Sequence, residues 1–131
     1  MKHITRSLGV AMAALLVAAG AALADHTMEH HKSSLFAGPK ANTGTVSHLR
    51  ENGRSVLRVS PDFKVPDTPA PTWRIVDSHG TIYTLDAFKI KGGEKREVVV
   101  PGFVKNIAKV QVYCAWAETL LGEASFSMPV K

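Results

Sequence analysis

From Gly44 to Phe126 no stretch keeps its apolar residues at the spacing of an amphipathic helix, while short runs of β-formers recur between glycine and proline turns. Such a chain buries its apolar side chains by stacking sheets rather than by packing helices. The expectation is therefore an all-β fold, an antiparallel β-sandwich or barrel-like single domain of about seven to nine short strands. Gly44–Arg50 and Ser55–Ser60 flank Asn52-Gly53, whose residues tolerate the positive φ of a type I′ turn, and so predict a first hairpin. Pro61, Pro66, Pro69 and Pro71 lack backbone donors, which makes residues 61–71 a rigid loop or edge.

Thr72–Val76 and Thr81–Leu85 predict a second hairpin closed by Asp77-Ser78-His79-Gly80, with Trp73 and Ile75 on one face and Thr72 and Arg74 on the other. Phe88 and Ile90 alternate with Lys89 and Lys91 before the Gly92-Gly93 turn, and Glu97–Val100 reads as a further strand. The most regular run is Ile107–Trp116, where alternation sends Val110, Val112, Cys114 and Trp116 toward the core. Ala115–Leu121 has room for one helical turn, and Ala124–Met128 predicts a short last strand.

Ahead of this domain, Lys2, His3 and Arg6 precede an apolar run from Leu8 through Ala19, followed by Ala22-Leu23-Ala24 and an abrupt change to polar residues. That order of parts predicts a signal peptide over residues 1–24, cleaved after Ala24, and a mature chain that is periplasmic or secreted with no retained membrane anchor. Removing residues 1–24 from 131 leaves 107, enough for one core and too few for two ordinary domains. Lys2 and Arg6 leave with the signal, so the formal charge falls from +5 to +3. The remaining basic residues, such as Arg54, Arg58, Lys89 and Lys105, are scattered singly along the chain, a pattern that predicts no nucleic-acid partner. Residues 25–34 are polar, His-rich and aperiodic, and predict a flexible arm ahead of a domain spanning residues 35–131.

The order of several short motifs resembles the DM13 family of extracytoplasmic domains. They are Phe36-Ala-Gly, Gly44-Thr-Val46, Leu57-Arg-Val-Ser-Pro-Asp62-Phe63 leading to Thr68-Pro69-Ala70-Pro71, Val110-Gln-Val-Tyr-Cys114, and Leu121-Gly-Glu-Ala124-Ser-Phe126. The resemblance implies a β-sandwich module with an electron-transfer role centred on the single cysteine. The chain departs from the family's pattern in having Tyr113 where Trp often precedes the cysteine, and in placing Trp116 two residues after it.

Cys114 is the only cysteine, so no intrachain disulfide forms, and any redox chemistry needs an outside partner such as an extracytoplasmic protein. Its strand neighbours Val112 and Trp116 bring no positive charge, and from the residues alone a small buried hydrophobe is the competing reading. In the arm, His26, Met28, His30 and His31, with Glu29 and the amine of Asp25 after cleavage, form a donor set that suits copper or another redox metal. The competing reading is a solvated tail. His48 and His79 are isolated in the sequence and expected to serve as hydrogen-bonding or surface residues. Asp62, Asp67, Asp77 and Asp86 adjoin predicted turns, where a carboxylate caps backbone donors. No nucleophile elbow, phosphate loop or paired acid is present, so the expectation is a protein that is not an enzyme, either a redox module or a non-catalytic extracytoplasmic binding module.

Overall fold

The computed structural model describes residues 31–131. The expected signal segment and residues 25–30, with His26, Met28, Glu29 and His30, lie outside the described residues. Nine strands form in chain order: β1 (Val46–Glu51), β2 (Arg54–Val59), β3 (Pro71–Val76), β4 (Ile82–Ala87), β5 (Lys89–Ile90), β6 (Gly93–Glu94), β7 (Glu97–Val99), β8 (Ile107–Cys114) and β9 (Thr119–Val130). They build an antiparallel three-stranded sheet in the order β1-β2-β7, a four-stranded sheet in the order β4-β3-β8-β9, and a small β5-β6 ribbon. The fold is an all-β sandwich.

Alternation places the core as expected. Val46, Leu57, Val59 and Val98 of the first sheet join Trp73, Ile75, Val110 and Val112 of the second in one buried cluster. Across it runs a line of aromatic rings: Trp73 stacks on Phe88 with centroids 4.6 Å apart, Phe88 meets Phe63 at 5.5 Å, and Phe63 meets Phe36 at 5.0 Å. The Trp73 indole donates to the Lys95 carbonyl at 2.9 Å, which ties the β5-β6 ribbon to the sandwich. The first hairpin turns on Asn52 and Gly53, both at positive φ, with β1 and β2 in register from Val46↔Val59 to Glu51↔Arg54.

Residues 31–34 do not behave as the predicted arm. Lys32 bridges Ser47, His48 N–H donates to the His31 carbonyl and Ser33 N–H to the Val46 carbonyl, so this segment runs along the open edge of β1. The chain then crosses to the other sheet, where Ser34 and Ala37 N–H groups donate to the Ser125 and Glu123 carbonyls of β9. A main chain satisfies a strand edge whatever its side chains are, which is why polarity misled the sequence reading here.

The crossing segment also explains two glycines. A Cβ on Gly38 would run into the backbone of Leu121 and Gly122, and one on Gly122 would meet the Ala41 carbonyl and, at 2.8 Å, the Ala41 methyl. The Phe36-Ala-Gly and Leu121-Gly-Glu motifs are therefore packed against each other, backbone on backbone. Gly122→Ala is expected to lower stability by about 1–3 kcal/mol, the usual cost of overpacking. Gly102→Ala, with open space around its Cβ, is the control. Equal urea midpoints for the two variants would refute the close approach.

The β8–β9 corner differs from expectation. β8 ends at Cys114, a four-residue turn follows with Glu118 at φ 53, and β9 starts at Thr119 rather than Ala124. No helical turn forms. Cys114 pairs with Thr119 across a hairpin, so Ala115–Glu118 is spent on the reversal and Trp116 is 76% exposed instead of facing the core. Pro129 is accommodated within β9 because β9 is an edge strand, where a missing donor costs no ladder bond. Pro71, expected in the loop, is the first residue of the central strand β3, a position where proline is tolerated for the same reason. Ile90 is half exposed, since the two-residue β5-β6 ladder stands outside the sheets and only Phe88 enters the core.

Candidate functional site

Cys114 closes β8 at one end of the four-stranded sheet. Its side chain is 2% exposed, yet every residue of the following turn, Ala115 to Glu118, is exposed, so the sulfur lies one turn beneath the surface. The turn folds back over it. Ala117 N–H points at Sγ with a nitrogen–sulfur distance of 3.5 Å. From the other side comes the end of the proline loop: Pro71 is the cross-strand partner of Cys114, and Ala115 N–H donates to the Ala70 carbonyl at 2.9 Å. The thiol is held below its ordinary pKa, first by the Ala117 N–H, against the opposing effect of burial, with further help from the Ala70 and Trp116 N–H groups. Thr68 Oγ1 is buried and makes no hydrogen bond. Backbone donors converging on a sulfur favour thiolate over thiol, which is the condition for nucleophilic or metal-binding chemistry.

The sequence pointed to Cys114 but not to its surroundings. Thr68 and Ala70 come from a loop more than forty positions earlier, and only the β3–β8 pairing brings them to the sulfur. The aromatic rings on either side stay away from the thiol. Tyr113 lies under the Arg74 guanidinium, 3.8 Å from ring centroid to Cζ, on the strand face opposite Cys114, and Trp116 points to solvent.

Of the metal-binding residues read from the arm, His31 alone lies within the described residues. It is half-buried, and its Nδ1 sits 2.9 Å from Nδ1 of His48, with the rings stacked at 5.1 Å. His48 is not isolated. It is 3% exposed, and its Nε2 lies 2.6 Å from Ser55 Oγ on β2. The three side chains form a polar chain at the edge of the core. A hydrogen bond between the two Nδ1 atoms takes one proton between them and leaves His31 only Nε2 for any other partner. Among the described residues no three His, Cys, Asp or Glu side chains come together as a metal-binding group. Burial, then His31, then Arg50 hold the His48 pKa down at about 4. The alternation Val46, His48, Arg50 carried a signal for this burial, since it places His48 on the face of fully buried Val46.

The remaining candidates are structural. Asp77 Oδ1 accepts from the N–H groups of His79 and Thr81, both at 2.9 Å, and the carboxyl is held below its usual range by those bonds, Thr81 first. Asp62 accepts from Ser60 Oγ at 2.6 Å. Asp86 pairs with Lys95 at 2.9 Å, and Asp67 stands 3.8 Å from Lys89. His79 is exposed in its turn. No helix among the described residues is long and apolar enough to cross a membrane. Comparison with protein-family models, with curated proteins and with solved structures finds no match to the chain.

Proposed function

We propose that this chain is an exported redox module whose working group is Cys114, exchanging with a disulfide of an extracytoplasmic protein partner. The observation that carries the reading is the Ala117 N–H pointed at Sγ across the exposed turn, which lowers the thiol pKa even though the side chain is buried. An inert core cysteine in apolar surroundings has its pKa raised instead. In the step proposed, the Cys114 thiolate attacks one sulfur of the partner disulfide. A Cys114–partner disulfide forms, the original sulfur–sulfur bond breaks, and the second partner sulfur leaves with the electron pair as thiolate. Since the chain has one cysteine, the thiolate of a second partner molecule then attacks the first partner's sulfur in the mixed disulfide, forming a disulfide between the two partners and releasing Cys114 as thiolate, so oxidising equivalents pass between partners and none stay on this chain. The electron-transfer role implied by the DM13 resemblance supports the same residue.

Access requires the exposed Ala115–Glu118 turn to lift, and that motion sets the rate. In the folded chain, thiol-specific labelling of Cys114 is expected to be slower than in the urea-unfolded chain, yet to rise with pH at a lower midpoint. Cys114→Ser is expected to keep the fold and to abolish capture of a small-molecule disulfide as a mixed disulfide. Labelling that occurs only at the rate of global unfolding would make Cys114 a packing residue and overturn the proposal.

A further inference from the structure

The opposite end of the sandwich holds a feature that the sequence scattered. Arg50 and Arg54 flank the first hairpin turn, Lys105 lies in the loop before β8, and Lys131 follows β9. All four line one open-mouthed cavity of about 750 Å³, together with an apolar wall that includes Val99 and Phe103. That volume is in the range of small-molecule sites, roughly 300–1,000 Å³. No acidic side chain lines the cavity.

No carboxylate side chain pairs with these four among the described residues, and they share one concavity, whereas the other Lys and Arg without an ion pair, Lys32, Lys40, Lys64, Arg74 and Lys91, do not line it. Four like charges around one concavity repel each other, and low-dielectric walls focus their field into it. Arg50 is also, after burial and His31, one of the groups that disfavour a proton on His48. The wall is as unusual as the charge: Phe103 is 70% exposed, its ring held at 5.9 Å from that of Tyr83, and Val99 is also exposed. Guanidinium forks suit carboxylate and phosphate oxygens, and an exposed aromatic beside them suits an apolar body.

We propose that this cavity binds a small amphipathic anion, one carboxylate or phosphate head on an apolar chain or ring. The head meets Arg50 and Arg54, and the body lies along Val99 and Phe103. The site is independent of the thiol. Ile107 lines the cavity and Cys114 lies at the far end of the same eight-residue strand, on the order of 20 Å away at strand spacing.

The test is a titration of the folded chain, followed by amide chemical shifts, with octanoate, octyl phosphate, octanol and inorganic phosphate. Octanoate or octyl phosphate is expected to shift residues 99–107 with an affinity at least tenfold above both octanol and inorganic phosphate, and whichever of the two binds more tightly identifies the head group. Arg50→Gln with Arg54→Gln is expected to weaken that binding about tenfold, and Phe103→Ser to weaken it separately, while Cys114→Ser leaves it unchanged. Both arginines are exposed, so their replacement leaves the core intact. Octanol binding as tightly as octanoate, or affinity unchanged in the double variant, would overturn the proposal.

Discussion

Trp73→Ala is expected to cost about 3–5 kcal/mol of stability, the largest loss of any single substitution considered for this chain. Trp73 is fully buried on the central strand β3 and stacks on Phe88 with the rings 13° from parallel. Truncation removes that stack and opens a cavity between the sheets, and it also leaves the buried-side carbonyl of Lys95 without its indole donor. With no disulfide to hold the sheets together, nothing covalent offsets the loss. Urea denaturation measures it directly. Trp73→Phe separates the two contributions, because it keeps a ring against Phe88 and loses only the hydrogen bond and part of the volume. A loss below about 1 kcal/mol for the alanine variant would show that the aromatic line does not organise the core.

Acid is expected to weaken the fold between about pH 6.5 and pH 4 through His48. In the unfolded chain His48 takes up a proton near its ordinary pKa of 6.5, while in the folded chain it resists until about 4. The unfolded state therefore binds more protons between these values. Stability is constant above about pH 6.5, falls as pH drops toward 4, and the full loss is on the order of 3 kcal/mol. The causes lie on three elements: burial against β2, His31 on the edge segment and Arg50 on β1. Asp62 and Asp77 are held below the usual carboxylate range, so their titration comes at lower pH. Unfolding free energies from urea denaturation at pH 7.5 and 5 are expected to differ by about 2 kcal/mol in the native chain and by much less in His48→Gln. Parallel pH profiles for the two proteins would exclude His48 as the source.

The reasons the sequence was readable in some places and not in others can be followed residue by residue. Asn52-Gly53 announced its hairpin because the turn needs positive φ at both positions and these residues supply it locally. Trp73, Ile75, Val110 and Val112 announced the core because a pleated strand fixes alternate side chains to one face. Trp116 was misplaced by extending the same rule past the strand's end, which cross-strand pairing with Thr119 decides. Residues 31–34 were misplaced because their contribution to the edge of β1 is made by main-chain groups, which carry no side-chain signature. At the thiol the residue was legible and its chemistry was not. Cys114 is marked by being alone, but the Ala117 N–H that favours its thiolate is aimed by the chain reversal, and the Ala70 group arrives through a strand pairing.

By itself, then, the amino-acid sequence determined the fold class, the first hairpin, the inward faces of the central strands and the presence of a single thiol, because each depends on local dihedral preference, period-two alternation or simple composition. Tertiary structure alone decided which charges share a cavity, which histidine is buried against another, and which donors surround Cys114. Those properties depend on distances between residues far apart in the chain, set only when two sheets close over one core and a single segment, residues 31–41, crosses from one edge to the other.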